Sequence, residues 1–225
     1  MTDTYILRWK DLFRPGTNPP VGSEAFARAP QGTTALLLVD RELTGDFKSV
    51  GSQHAEHRLL QSEQWKSALQ TAAAGGVAAR SEPLTIAVVI NRSPCHFRAV
   101  ERGHPVFLSR PAQEYFEAAL AQVPGEALNE PSCGCSFKLA SALVEFTKQH
   151  AVTGVKFLLA CTGLYWPDDK PTVEHQGMTK KSDLAWLQLA GWDVRALEVD
   201  GNLTDRGREL IAELKAIEPW VGRRP

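Results

Sequence analysis

LTIAVVINRSPC, residues 84–95, begins as a near-continuous aliphatic run and ends in Asn91-Arg92-Ser93-Pro94-Cys95. A run without polar alternation reads as a strand buried on both faces, and Pro94 marks its end. Comparable runs lie at 34–40 (TALLLVD), 155–160 (VKFLLA) and 193–199 (DVRALEV). Helical patterns separate them. Residues 54–74 hold no Pro or Gly, place Trp65, Ala68, Leu69 and Ala72 at helical spacing, and stop at Gly75-Gly76. Residues 136–150 carry Leu139, Leu143 and Phe146 as an apolar stripe. Residues 179–190 close at Gly191, and Thr204-Asp205 opens a last helix over 206–217. Strands alternating with helices predict an α/β fold with a largely parallel sheet. Residues 46–51 (DFKSVG) follow Thr44-Gly45 and predict a hairpin partner for the first strand.

The flanks are less regular. Residues 1–32 are rich in turn formers (Pro15, Gly16, Asn18, Pro19, Pro20, Gly22, Pro30) and read as a loop-rich lead-in with a short helix around 24–28. Residues 96–132 interrupt the alternation and contain a helix-like stretch at 112–121. No repeat divides the chain, so one domain over 1–225 is expected.

Among the 225 residues, 25 Lys and Arg stand against 26 Asp and Glu, for a net charge of −1. With 43% hydrophobic and 23% charged residues, the composition is that of an ordinary globular protein and excludes a disordered tail, a coiled coil or a collagen. No apolar run is long enough to span a bilayer. The opening MTDTYILRWKDLF lacks a basic segment followed by an apolar core, so a cytoplasmic location is expected. Near-zero charge gives no global support for nucleic-acid binding. Four cysteines (Cys95, Cys133, Cys135, Cys161) are too few for a disulfide scaffold of this size.

Three motifs stand in order: Gln53-His54-Ala55-Glu56 at a helix start, Ser93-Pro94-Cys95 after a core strand, and Cys133-Gly134-Cys135 before an amphipathic helix. One imidazole and two thiolates around zinc leave a tetrahedral position open, as catalytic zinc sites do. The open position takes a water whose pKa the metal lowers. Glu56 is the carboxylate placed to move protons. Because positions i and i+2 diverge inside a helix, His54 must lie at the very first turn for both side chains to face one ion. Helix starts favour thiolate over thiol. The order His-x-Glu, then Pro-Cys, then Cys is the arrangement of zinc nucleobase deaminases.

On HAE (54–56), NRSPC (91–95), CSFKLASALVEF (135–146), FLLACTGLYWPDD (157–169) and SDLAWLQLAGWDVRALEVD (182–200), the chain resembles the cytidine deaminase superfamily, within it the AID/APOBEC-like and bacterial toxin deaminases. The resemblance spans roughly residues 33–200. It implies a three-layer α/β/α fold with a five-stranded mixed sheet: an antiparallel hairpin first, parallel strands after. It implies His54, Cys95 and Cys135 as zinc ligands and Glu56 as proton shuttle. Tyr165 and Trp166 would stand by the target base, with Ser93 and Ala55 lining its pocket. The implied reaction is deamination of cytosine in nucleic acid, DNA first and RNA second. The implied alternatives are free nucleotides, adenine in RNA, or a silent binding module, and a toxin would imply an immunity partner.

Two departures stand out. The family spaces its cysteines Pro-Cys-x-x-Cys, whereas here about 37 residues (96–132) are inserted. Cys135 continues the stripe through Leu139, and Cys133 is the alternative ligand. Arg92 stands where the AID/APOBEC pattern has Trp. Other residues read more plainly. His57 is expected on the surface, with substitution as a ligand the lesser option. His96 and His104 are reserve ligands. Cys161 reads as a buried thiol, and Asp168-Asp169-Lys170 with Glu174-His175 as a solvated loop. Lys180-Lys181 and Arg206/Arg208 read as a solvated basic face, and Trp186, Trp192 and Trp220 as packing residues.

Overall fold

The computed structural model describes residues 4–17, 26, 32–74, 82–95, 135–150, 153–164 and 180–221. The 96–132 insertion, Cys133, His96, His104 and the loop carrying Tyr165, Trp166, Asp168 and His175 lie outside them, as does all of the 24–28 helix except Phe26.

The strands are β1 (Ile6–Arg8), β2 (Thr34–Val39), β3 (Glu42–Lys48), β4 (Leu84–Ile90), β5 (Val155–Cys161) and β6 (Asp193–Glu198). They form one mixed sheet in the order β1-β6-β5-β4-β2-β3. β4 lies inside it, parallel to β5 and antiparallel to β2. Its side chains alternate between two apolar clusters, Ile86, Val88 and Ile90 to one face, Ala87 and Val89 to the other. That two-sided burial is why the run is apolar apart from the half-buried Thr85. β5 and β6 are parallel, as the intervening helix predicts.

Six strands replace the expected five. β1 falls inside the lead-in and pairs in parallel with β6, Leu7 opposite Leu197. Three residues are too short for a period to register. The hairpin turn also differs. It sits at Asp40-Arg41, both with positive φ (53° and 67°), while Thr44-Gly45 lie within β3 at a bulge opposite Leu37/Leu38. Positive φ at both central positions is what a two-residue hairpin requires, but Asp-Arg is not a pair that announces it. Arg14 reaches across to Asp40 (3.5 Å) and Glu42 (2.8 Å) and holds the turn.

The described helices are α1 (Ala55–Gln61), α2 (Glu63–Ala73), α3 (Cys135–Gln149), α4 (Lys180–Leu189) and α5 (Asp205–Val221). The single helix expected over 54–74 is broken at Ser62, which adopts extended backbone (ψ 154°). Its hydroxyl donates to Leu59 O (2.7 Å) and accepts from Trp65 N (3.1 Å), ending α1 and capping α2.

β3 to β4, β4 to β5 and β5 to β6 all step the same way along the sheet. Right-handed crossovers therefore place their helices on one face, and apolar residues of all five helices share one cluster. The opposite face is covered, among the described residues, by Trp9, Leu12, Phe13 and Phe26. Trp192 anchors the helical face: its Nε1 donates to Leu139 O at 2.9 Å, and its ring stacks on Trp65. No helix among the described residues is long and apolar enough to cross a membrane.

Candidate metal centre

Parallel strands deliver their C-terminal ends to one side of a sheet, and helix N-termini return there. β4 ends in a pinned corner. Asn91 donates from its backbone N to Thr34 O (3.2 Å), and its Oδ1 accepts from Thr34 N (2.9 Å). Thr162 donates its hydroxyl to Asn91 O. Ser93 N then donates to Gly163 O at 2.7 Å, which ties the Ser-Pro-Cys segment to the end of β5.

Gly163 itself is held tightly. A Cβ there would lie 2.7 Å from Arg206 Cβ and 2.9 Å from Arg206 carbonyl carbon. Backbone atoms cannot step aside cheaply, so Gly163→Ala is expected to cost about 1–3 kcal/mol by overpacking. Thermal unfolding checks it, and an unchanged melting temperature would refute the close approach.

Cys95 meets the first turn of α3. Cys135 N donates to Cys95 Sγ at 3.1 Å, Ser136 N to Cys95 O at 3.4 Å, and Ser136 Oγ to the same carbonyl at 3.0 Å. Free N–H groups at a helix start need acceptors, and Cys95 supplies two. His54 faces them as the N-cap of α1, with φ −72° and ψ 154°. Its Nδ1 lies 3.4 Å from Cys95 Sγ and 3.2 Å from Cys135 Sγ. The three ligand atoms all fall within 4.8 Å of one another. A thiolate at ~2.3 Å and an imidazole nitrogen at ~2.0 Å from a tetrahedral zinc ion are about 3.5 Å apart. The donor set and its spacing therefore fit a metal ion of zinc's kind.

The electrostatics match. Cys95 is held well below the usual thiol range by the Cys135 thiol and N–H that donate to it and by His54, against the opposing effect of burial. Cys135 is pushed up because it donates to Cys95 and is buried. His54 is raised by its hydrogen bond to Cys95 and by the nearby thiolate and carboxylate, again against burial. A metal ion would displace these shared protons.

Glu56 stands one residue into α1, 2% exposed, with Oε2 lacking a hydrogen-bond partner. Burial and the Cys95 thiolate push its carboxyl up to about 7. An orphaned carboxyl oxygen beside three convergent ligand atoms is the arrangement a proton shuttle needs. Ala55 and Ser93 are buried, and Ala55 N donates to Ser49 Oγ at 3.2 Å. Cys161 is buried, as expected.

His57 is corrected. It is 8% exposed rather than on the surface, because three successive residues of α1 (Ala55, Glu56, His57) are enclosed where the helix starts. Burial, then Lys138, then His54 hold its imidazole below the usual range. Lys138, which no motif singles out, is 4% exposed on α3. It stands beside Leu139 of the apolar stripe, and nothing in the sequence signals its burial. No protein-family model and no curated protein matches the chain, so the interpretation of this centre rests on its own geometry.

Proposed function

We propose that the chain is a zinc-dependent deaminase of the cytidine deaminase-like fold, converting cytosine to uracil in nucleic acid, with DNA the first substrate. The observation that carries this reading is the convergence of His54 Nδ1, Cys95 Sγ and Cys135 Sγ beside the buried, unpartnered Oε2 of Glu56. A sheet that runs hairpin first and parallel after, once β1 is set aside, supports it.

His54, Cys95 and Cys135 would hold the ion, whose contribution is to acidify a water and polarise it for attack. Glu56 takes the proton released as the water oxygen adds to C4 of cytosine. It delivers that proton to ring N3. The remaining proton of the added oxygen passes through Glu56 to the amino group, the C4–N bond breaks, ammonia leaves, and C4 keeps the oxygen as a carbonyl. A carboxyl titrating near neutrality can both accept and return a proton without a large penalty in either direction. Enclosure at the start of α1 keeps that carboxyl from bulk water and holds it on one side of the ring.

A base must leave its stack to reach such a centre, at a few kcal/mol. Tyr165 and Trp166 are the residues proposed to repay this by stacking, about 1–3 kcal/mol per base. With a net charge of −1, phosphate contacts are expected to be few and local, with weak dependence on salt.

The test is incubation of zinc-loaded protein with single- and double-stranded DNA and RNA, followed by sequencing. C-to-T changes in DNA are the expected result. A-to-G changes in RNA would redirect the reading to adenine. No change on any nucleic acid would overturn it in favour of free nucleotides or a silent fold.

A further inference from the structure

We propose that the cavity at the carboxyl ends of β1 and β6 is a second ligand site, one that takes the ribose phosphate of a free mononucleotide. It stands apart from the metal centre. Cys95 follows β4, and β6 lies two strands away across β5, about 10 Å at the usual strand spacing.

β1 and β6 are adjacent and parallel, with Arg8 opposite Glu198 at their ends. Their outgoing connections leave to opposite faces of the sheet. From β1 the chain turns into a short 3₁₀ helix, Trp9–Leu12, whose Trp9 and Leu12 join the apolar cluster on one face. From β6 it runs to α5, whose Leu210, Leu214 and Ile217 join the helical cluster on the other. Parallel neighbours whose connections part in this way leave a crevice outside their carboxyl ends, the place where open α/β sheets bind ligands. The cavity there measures about 390 Å³ and is lined by Arg8, Trp9, Lys10, Glu198, Asp200 and Gly201. That volume falls inside the ~300–1,000 Å³ range of small-molecule sites.

The two sides of the cavity differ in charge. Arg8 and Lys10 bring cations from the β1 side, while Glu198 and Asp200 bring carboxylates from the β6 side. The β6 side is fixed by a two-residue turn. Asp200 and Gly201 both have positive φ (51° and 77°), and Val199 and Asn202 exchange both backbone hydrogen bonds at 3.0 Å. Arg8 Nε stands 3.8 Å from Glu198 Oε1, beyond hydrogen-bond length. Trp9 is 4% exposed, and its Nε1 is a buried donor that no group of the fold satisfies. Buried donors are normally satisfied, so an acceptor supplied by a ligand answers a need the chain leaves open.

A ligand that suits both sides carries an anion at one end and hydroxyl donors at the other. Phosphate suits Arg8 and Lys10. A carboxylate at the end of a strand, accepting from ribose hydroxyls, is how such crevices hold the sugar of a nucleotide. Inorganic phosphate would meet the two carboxylates with no hydroxyl to offer them. A polynucleotide gains little from a chain of net charge −1, whereas one phosphate needs only the two cations present.

The experiment is calorimetric titration of the full-length, zinc-supplied protein with adenosine 5′-monophosphate, its 2′-deoxy form, ribose 5-phosphate, inorganic phosphate and a short oligoribonucleotide. Adenosine monophosphate and ribose 5-phosphate are expected to bind one per chain, at least tenfold tighter than inorganic phosphate. Lys10→Met is expected to weaken both roughly 10–100-fold, the usual effect of removing one charge-assisted hydrogen bond. Glu198→Gln and Asp200→Asn are expected to abolish the preference for ribose over deoxyribose while phosphate recognition persists. Asparagine tolerates the positive φ at position 200, and melting of each variant confirms that it is folded. Three results would each overturn the inference. One is a wild type that binds neither ribose phosphate. Another is binding unchanged in all three variants, which would put the ligand elsewhere, the metal centre included. The third is inorganic phosphate or the oligonucleotide binding as tightly as the mononucleotide, which would make the cavity a bare anion site or a strand contact.

Discussion

Cys135→Ala is expected to leave the chain unable to retain zinc at neutral pH, with affinity lowered by more than the ~100-fold typical of outer-shell losses. Cys135 contributes twice. Its sulfur stands 3.2 Å from His54 Nδ1, and its backbone N–H helps hold Cys95 as thiolate. Alanine keeps the N–H and the helix start but removes the sulfur, leaving two ligand side chains, a number that no longer closes a tetrahedral zinc site. Elemental analysis after dialysis against a mild chelator measures the effect. Stoichiometric zinc in this variant would show that the ligand lies elsewhere, with Cys133 the first candidate. Metal that binds only the folded chain also stabilises it by mass action. Wild type should therefore melt higher with zinc than without, and Cys135→Ala should not respond.

Glu56→Gln is expected to lower the deamination rate by about 10²–10⁴-fold, the usual contribution of a positioned acid–base group, with zinc still bound. The amide preserves the volume of a nearly fully buried side chain and removes only its capacity to cycle a proton. A variant as active as wild type would refute the shuttle. Stability should move the other way. Glu56 has a folded-state pKa raised from 4.5 to about 7. For an acid shifted upward, the stabilising effect is complete below the ordinary value and is lost as pH climbs through the raised one. In the metal-free wild type, stability should fall across that window by about 3 kcal/mol relative to Glu56→Gln. Chemical denaturation of both proteins at several pH values reads this directly.

The sequence makes the long elements readable for a physical reason. β4 is buried on both faces and so carries a near-continuous apolar run, and α3 shows its Leu139, Leu143 and Phe146 stripe because one side faces the core. The convergence of His54, Cys95 and Cys135 is readable too, since chemistry restricts metal-ligating groups to few residue types and the turns around them to Pro, Gly and Ser. Other features depend on partners far along the chain. β1 exists because β6 offers an open edge, and three residues carry no period of their own. The break at Ser62 comes from one hydroxyl bonded on both sides, in a stretch whose composition reads as continuous helix. His57 reads as a wet residue near the start of a long helix, and only the enclosure of the start of α1 buries it. Lys138 is legible as a lysine but not as a buried one until α1 and α3 are seen packed together.

The separation of the ligands along the chain has a consequence in chain entropy. His54 and Cys135 are 81 residues apart, and Cys95 and Cys135 are 40 apart. An ion held by all three is a cross-link, and closing a loop of the shorter span reduces the freedom of the unfolded chain by roughly 4 kcal/mol in the loop-closure picture. Lengthening that loop from a few residues to its present span costs only about 2 kcal/mol, because the penalty grows with the logarithm of length. Segments between such ligands can therefore change length at little energetic expense.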